Sequence, residues 1–270
     1  DPGLITVRGL ELVRAADVIV HDQLGAPAFL GMARPGAELV DVGKRSGDHT
    51  LPQDAINRLL VERAREGKMV VRLKGGDPLV FGRGGEEMEE LAKAGVEFEV
   101  VPGVTSGIAG PAYAGIPITH RACTPAFAVV TGHEADGKEA SNIPWASLAG
   151  IGTVVFLMGV KTLGAIARRL VEAGRSAETR VAVIERATSP GQRTVAGTLG
   201  SIESRAREAG IKPPALIVVG DVVTYREHLA WFERRPLFGR TIVVTRARAQ
   251  ASDLSKALRE RGAEVIECPA

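Results

Sequence analysis

The sequence predicts an α/β protein of two domains, each a sheet with flanking helices. Three observations predict it. Short β-branched runs alternate with longer amphipathic stretches. The chain of 270 residues is long for one hydrophobic core and comfortable for two. The segment 117–125 carries Pro117 and Pro125 among polar residues and reads as a linker.

Taken in order, Asp17–Val20, Glu38–Asp41, Met69–Leu73 and Phe98–Val101 read as strands. Between them, Pro52–Arg65 places Ile56, Leu59, Leu60 and Ala64 near helical spacing, with Pro52 at the start. Glu86–Ala94 reads as the next helix. This βαβα rhythm predicts an open, largely parallel sheet. Farther on, Ala126–Val130, Thr153–Leu157, Arg180–Ile184, Thr194–Gly197 and Ala215–Val219 read as strands. Lys161–Ala173 reads as a helix, with Gly174 as its C-cap. A second boundary is expected near Arg234–Pro236. Beyond it stand a strand at Thr241–Thr245, a helix at Ser252–Arg261 and a strand at Glu264–Ile266. The expected domains are therefore 1–120, 121–232 and a partial one at 237–270.

Composition excludes several functions. A net charge of +2 is too small to imply nucleic acid or an anionic membrane. Aromatics are only 4%, too few for a base-stacking platform. No apolar run reaches the roughly 18 residues of a membrane span. The two cysteines, Cys123 and Cys268, and the five histidines show no metal-ligand spacing, so no metal is expected. A reducing cytoplasm fits this cysteine usage. His133, after a strand, reads as a structural histidine or as one lining the site.

The sharpest motif is Leu73-Lys74-Gly75-Gly76-Asp77-Pro78, followed by Phe81-Gly82-Arg83-Gly84-Gly85-Glu86. It follows a predicted strand, at the edge where open α/β sheets bind ligands. It is neither a Walker A loop nor a GxGxxG fingerprint. Asp77 has two readings, a hydrogen-bond acceptor for a ribose or amine and a residue that shapes the turn. Asp22 and Lys44 each follow a predicted strand and are expected on the same edge. A capping Asp and a solvated Lys are the alternatives for them.

These motifs stand in order with Val42-Gly43-Lys44-Arg45, Leu51-Pro52-Gln53, Val101-Pro102-Gly103-Val104-Thr105-Ser106 and Ala114-Gly115-Ile116-Pro117-Ile118-Thr119-His120-Arg121. Together they resemble the uroporphyrinogen-III C-methyltransferases of the tetrapyrrole methylase superfamily, over residues 1 to about 232. The resemblance implies two α/β domains with a ligand cleft between them. It implies S-adenosyl-L-methionine as donor and S-adenosyl-L-homocysteine as product, with no metal. By position it places Gly75, Gly76, Asp77, Val80, Thr105, Ser106, Met158, Ala187 and Ala215 at the donor. Core packing is the other reading for Met158, Ala187 and Ala215. It makes Asp22 a proton acceptor and Lys44 a proton donor. Arg45, Arg83, His120, Arg121 and Lys161 become candidate partners for the carboxylate arms of the substrate, and Lys74 lies among the same cations.

The implied reaction is methylation of uroporphyrinogen III at C2 and C7 to precorrin-2, on the route to sirohaem or cobalamin. A later precorrin methyltransferase and a catalytically impaired cofactor-binding fragment are the alternatives, with a diphthine synthase-like methylase behind them. A homodimer is the family's usual state. The family opens with a strand and a Gly-Pro-Gly-Asp turn. This sequence starts at the residue matching that Asp, Asp1, so the first strand is expected to be missing from it. Residues 237–270 resemble the start of a uroporphyrinogen-III synthase.

Overall fold

The computed structural model describes residues 1–24, 27–43, 51–132, 142–245 and 248–268, the side chains of 248–252 excepted. By its internal contacts the chain divides into two compact units, Asp1–Thr105 and Ser106–Ala270.

The first unit runs α1 (Val7–Ala15), β1 (Val18–His21), α2 (Pro27–Leu30), β2 (Glu38–Asp41), α3 (Gln53–Arg65), β3 (Val70–Leu73) and α4 (Gly84–Lys93). Its sheet has the order β2-β1-β3, with every pairing parallel. Central β1 is buried along its whole length, which is why it reads as an unbroken apolar run rather than an alternation. Val18 and Val20 face Ile56 and Leu60 of α3. Ile19 points the other way, to Val13 and Ala16. Helix α3 begins with Pro52 as its N-cap, one residue inside the expected start.

One expected strand is not there. Phe98–Val101 carries no ladder, and Phe98 is exposed. β-propensity is only the local half of a strand; the other half is a neighbour's N–H and C=O groups, and no described strand offers them. The segment is held through side chains instead, with Arg8 making a two-pronged pair to Glu99 (Nε–Oε1 and Nη2–Oε2, both 2.7 Å).

The second unit comprises α5 (Ser106–Tyr113), β4 (Phe127–Thr131), α6 (Trp145–Ala149), β5 (Thr153–Leu157), α7 (Leu163–Glu172), β6 (Arg180–Glu185), β7 (Arg193–Thr198), α8 (Ile202–Glu208), β8 (Ala215–Val219) and α9 (Arg226–Leu229). Its sheet order is β4-β5-β8-β6-β7. Only β4–β5 is parallel; the other pairs are antiparallel, unlike the first unit, for which the βαβα rhythm predicted a parallel sheet. The reason is in the connections. β6 and β7 are joined without a helix, which allows only a hairpin, and β8 enters between β5 and β6 in the opposite sense.

The two faces of this sheet alternate residue by residue. Val154, Phe156, Val181, Val183, Ile217 and Val219 pack on Leu163, Ile166 and Leu170 of α7 and Ile202 of α8. Val155, Leu157, Ala182, Ile184 and Val218 pack on Ala114, Ile116 and Val222. The division thus falls before α5 rather than near residue 120, because α5 and the turn after it belong to this second face. Segment 117–125 lies inside the unit, where His120 and Thr124 form an isolated bridge. Leu170 is 0% exposed. Leu170→Ala is expected to cost about 2–5 kcal/mol in urea unfolding.

Strands β9 (Thr241–Val244) and β10 (Glu264–Glu267) pair in parallel around α10 (Arg248–Glu260). They form a separate small sheet in the same unit, joined to what precedes by the Phe232–Phe238 edge-to-face contact.

Candidate active site

In the first unit the carboxyl ends of β1, β2 and β3 lie side by side, because the register pairs His21 with both Asp41 and Leu73. The residues after those strands therefore share one edge. Asp22 follows β1, and Lys74-Gly75-Gly76-Asp77 follows β3, as the sequence implied. Lys44 and Arg45, expected on this edge after β2, lie outside the described residues, as does His133.

The turn at Gly75 is closely packed. A methyl built on Gly75 would land on the Leu24 carbonyl oxygen, and one on Gly103 would land on the Gly76 carbonyl oxygen. Only glycine lets these three strands of chain meet. Asp77 fastens the arrangement. Its Oδ1 accepts from the Leu79 amide at 2.8 Å and its Oδ2 from the Gly103 amide at 2.9 Å. It shapes the loop, and each carboxylate oxygen keeps acceptor capacity beyond these bonds. Val80 donates to the Asp77 carbonyl at 3.3 Å. Gly75 and Gly76 are exposed, so bare backbone faces outward where a ligand with polar atoms can approach. Thr105 and Val104 continue directly from the fastened Gly103.

Behind this edge lies a buried charge cluster. Glu87 Oε1 accepts from Lys74 Nζ at 2.8 Å, Arg72 Nε at 3.1 Å and Gln53 Nε2 at 3.2 Å. The Lys74 and Glu87 side chains are only 9% and 6% exposed. Lys74 is therefore a structural partner of Glu87 and not a rim cation for a substrate. Burial pushes its ammonium below the ordinary lysine range, against the Glu87 hydrogen bond that holds the proton on. Arg72 also points Nη2 at Asp22 Oδ2, 4.0 Å away. Asp22 itself accepts from the Leu24 amide at 3.0 Å, so it shapes its own turn and keeps a second oxygen toward Arg72. Sequence reasoning missed Glu87, Arg72 and Gln53 as a group. The one available signal was Arg72, a charge inside an otherwise apolar strand.

Arg83 is exposed and gripped by Glu86, Nε to Oε1 at 2.8 Å and Nη2 to Oε2 at 2.6 Å. That pairing raises its already high pKa and fixes the guanidinium plane.

In the second unit, β5 and β6 run the same way and β8 runs against both. The residues after β5 and β6 and the start of β8 thus share one edge. This places Met158, Ala187 and Ala215 together, although they are far apart in sequence. The backbone there is strained, with φ of 57° at Met158, 49° at Arg186 and 67° at Thr188, on either side of Ala187. Met158 is 54% exposed, which excludes the core-packing reading for it. Ala215 is partly buried and does pack against the core. Lys161 follows on the same edge, since Thr162 Oγ1 donates to the Gly132 carbonyl beyond β4 at 2.7 Å. Ser106 opens α5 and is exposed.

His120 and Arg121 are not brought to that edge. Thr124, bridged to His120, sits against Gly152 at the amino end of β5. His120 Nδ1 meets the Tyr225 hydroxyl at 3.0 Å, beyond the carboxyl end of β8, and their rings lie 4.2 Å apart. Among the described residues no group of His, Cys, Asp and Glu is arranged to hold a metal, and no helix is long and apolar enough to cross a membrane.

Comparison with known proteins gives this edge a context. Residues 1–203 match the family described as Tetrapyrrole (Corrin/Porphyrin) Methylases. The chain is 45% identical over 270 residues to the uroporphyrinogen-III C-methyltransferase of Bacillus subtilis, covering 100% of this chain and 56% of that protein. It is 54% identical over 224 residues to the S-adenosyl-L-methionine-dependent uroporphyrinogen III methyltransferase of Methanosarcina barkeri, covering 83% and 88%. The crystal structure of uroporphyrin-III C-methyl transferase from Thermus thermophilus complexed with S-adenyl homocysteine aligns with a TM-score of 0.70 at 40% identity, covering 83% and 94%. The chain thus spans about half the length of some curated relatives it matches and most of another.

Proposed function

Because the chain belongs to the tetrapyrrole (corrin/porphyrin) methylases, we propose that it methylates uroporphyrinogen III at C2 and C7 to precorrin-2, using S-adenosyl-L-methionine. The observation that carries this reading is the Gly75–Asp77 turn, whose outward backbone and closed packing suit a donor bound through main-chain groups. The donor fits the residues present: side-chain-free glycines face outward, and Asp77 retains acceptor sites.

A sulfonium donor supplies a methyl group that is already activated, so the chain's own task is to position it. Gly75, Gly76, Asp77, Val80, Thr105 and Ser106 hold the donor on this reading, with Met158, Ala187 and Ala215 added from the resemblance. Asp22 takes the proton that leaves the methylated pyrrole, and Arg72 keeps its carboxylate oriented. Lys44 supplies a proton or holds an acidic arm. Arg83, Arg45 and Lys161 hold carboxylates. The same role for His120 and Arg121 rests on the resemblance alone. A cytoplasmic homodimer, acting before sirohaem or cobalamin, belongs to the same reading.

The test is transfer of labelled methyl from S-adenosyl-L-methionine. Transfer of two methyls to uroporphyrinogen III is expected. Label entering only a later, already methylated precorrin would overturn the substrate, and no transfer with intact S-adenosylhomocysteine binding would overturn catalysis.

A further inference from the structure

Phe81 is a large apolar residue with φ of 55°, in the left-handed region that bulky side chains rarely adopt, and it is 45% exposed. A ring held in an unfavourable backbone conformation and left in solvent adds little to folding. The loop nevertheless enforces it. Val80 donates to the Asp77 carbonyl at 3.3 Å and Gly84 to the Pro78 carbonyl at 3.0 Å, one on each side of Phe81. Arg83, also left-handed at φ 58°, is pinned by Glu86. Strain that the surroundings over-determine without burying the side chain points to a ligand.

Phe81 is also not alone. Leu24 (63% exposed), Leu79 (53%) and Val104 (39%) surround the same turn. Gly75 abuts Leu24, Gly103 next to Val104 abuts Gly76, and Leu79 is tied to Asp77. Single exposed apolar residues are ordinary, but a collar of them around one polar turn is not. A molecule with flat apolar faces and acidic arms matches a ring beside an oriented guanidinium.

We propose that Phe81 is a specificity-determining residue whose ring packs on a pyrrole face of the tetrapyrrole. This rests on the function proposed above and adds a residue to it. In Phe81→Gly, KM for uroporphyrinogen III is expected to rise about tenfold, the scale of one lost aromatic contact. KM for the donor should stay within about twofold, and Tm should hold or rise as the strain is released. Phe81→Tyr, which keeps the ring face, should retain a KM close to that of the unmodified protein. Equal rises in both KM values would put the ring on the donor and overturn the proposal. So would an unchanged tetrapyrrole KM, or a Phe81→Gly protein that melts lower or fails to fold. If the unmodified protein transfers no methyl to uroporphyrinogen III, the broader function falls and this inference with it. If it does transfer methyl and only the Phe81 variants disagree, this inference alone falls.

Discussion

Glu87→Ala is expected to remove about 3–5 kcal/mol from the stability of the first unit, the range found when one partner of a buried charge pair is deleted. Glu87 is the shared acceptor of Lys74, Arg72 and Gln53. Without it, Lys74 and Arg72 remain as cations whose side chains are 9% and 14% exposed. A small domain has about 5–15 kcal/mol in total, so the urea midpoint of the first unit at neutral pH should fall by about a fifth or more. Adding Lys74→Met to Glu87→Ala should recover part of the loss, because the uncompensated charge goes with it. The pH dependence has a definite sign. Burial already lowers the Lys74 pKa from the usual 10.5, and losing Glu87 lowers it further. The unfolded chain then binds more protons than the folded one between the two pKa values, so stability of Glu87→Ala rises with pH through that window. A loss below about 1 kcal/mol would show that the cluster is solvated.

Asp77→Ala is expected to weaken S-adenosylhomocysteine binding by about thirty- to hundred-fold, read by isothermal calorimetry. The change removes two charge-assisted hydrogen bonds, to the Leu79 and Gly103 amides. At about 1.5–3 kcal/mol each, part of which returns to water, their loss releases the Gly103–Thr105 stretch from the Gly75 turn. Gly103→Ala should reach a similar result by another route, because its methyl collides with the Gly76 carbonyl. Unfolding of the second unit should be unchanged in both. Unaltered affinity in both variants would detach these loops from the donor.

Much of the edge was legible in the sequence because strand ends are local signals. The runs at Glu38–Asp41, Thr153–Leu157 and Ala215–Val219 are the observed strands residue for residue. Once β1 and β3 are read as parallel, Asp22 and Gly75 must share an edge. What escaped is what depends on partners. Phe98–Val101 has strand composition but no ladder. Helix α5 was missed because its Gly107, Gly110 and Pro111 argue against a helix locally, while burial against the second sheet makes one. The antiparallel β8 follows from where a strand inserts, which no run of residues encodes. The left-handed backbone at Phe81, Arg83 and Met158 is likewise invisible in composition, since none is a glycine. Lys74 looked like a surface cation because its partner Glu87 comes thirteen residues later, on a different element.

On the proposed function the methyl donor sits at the Gly75–Asp77 turn, which Asp77 fastens to Gly103. A crystal structure of this chain with S-adenosyl-L-homocysteine tests it most directly. The ligand is expected against the backbone of Gly75 and Gly76 and beside Thr105, with both Asp77 hydrogen bonds intact. A ligand bound elsewhere, with that turn still facing solvent, would contradict it.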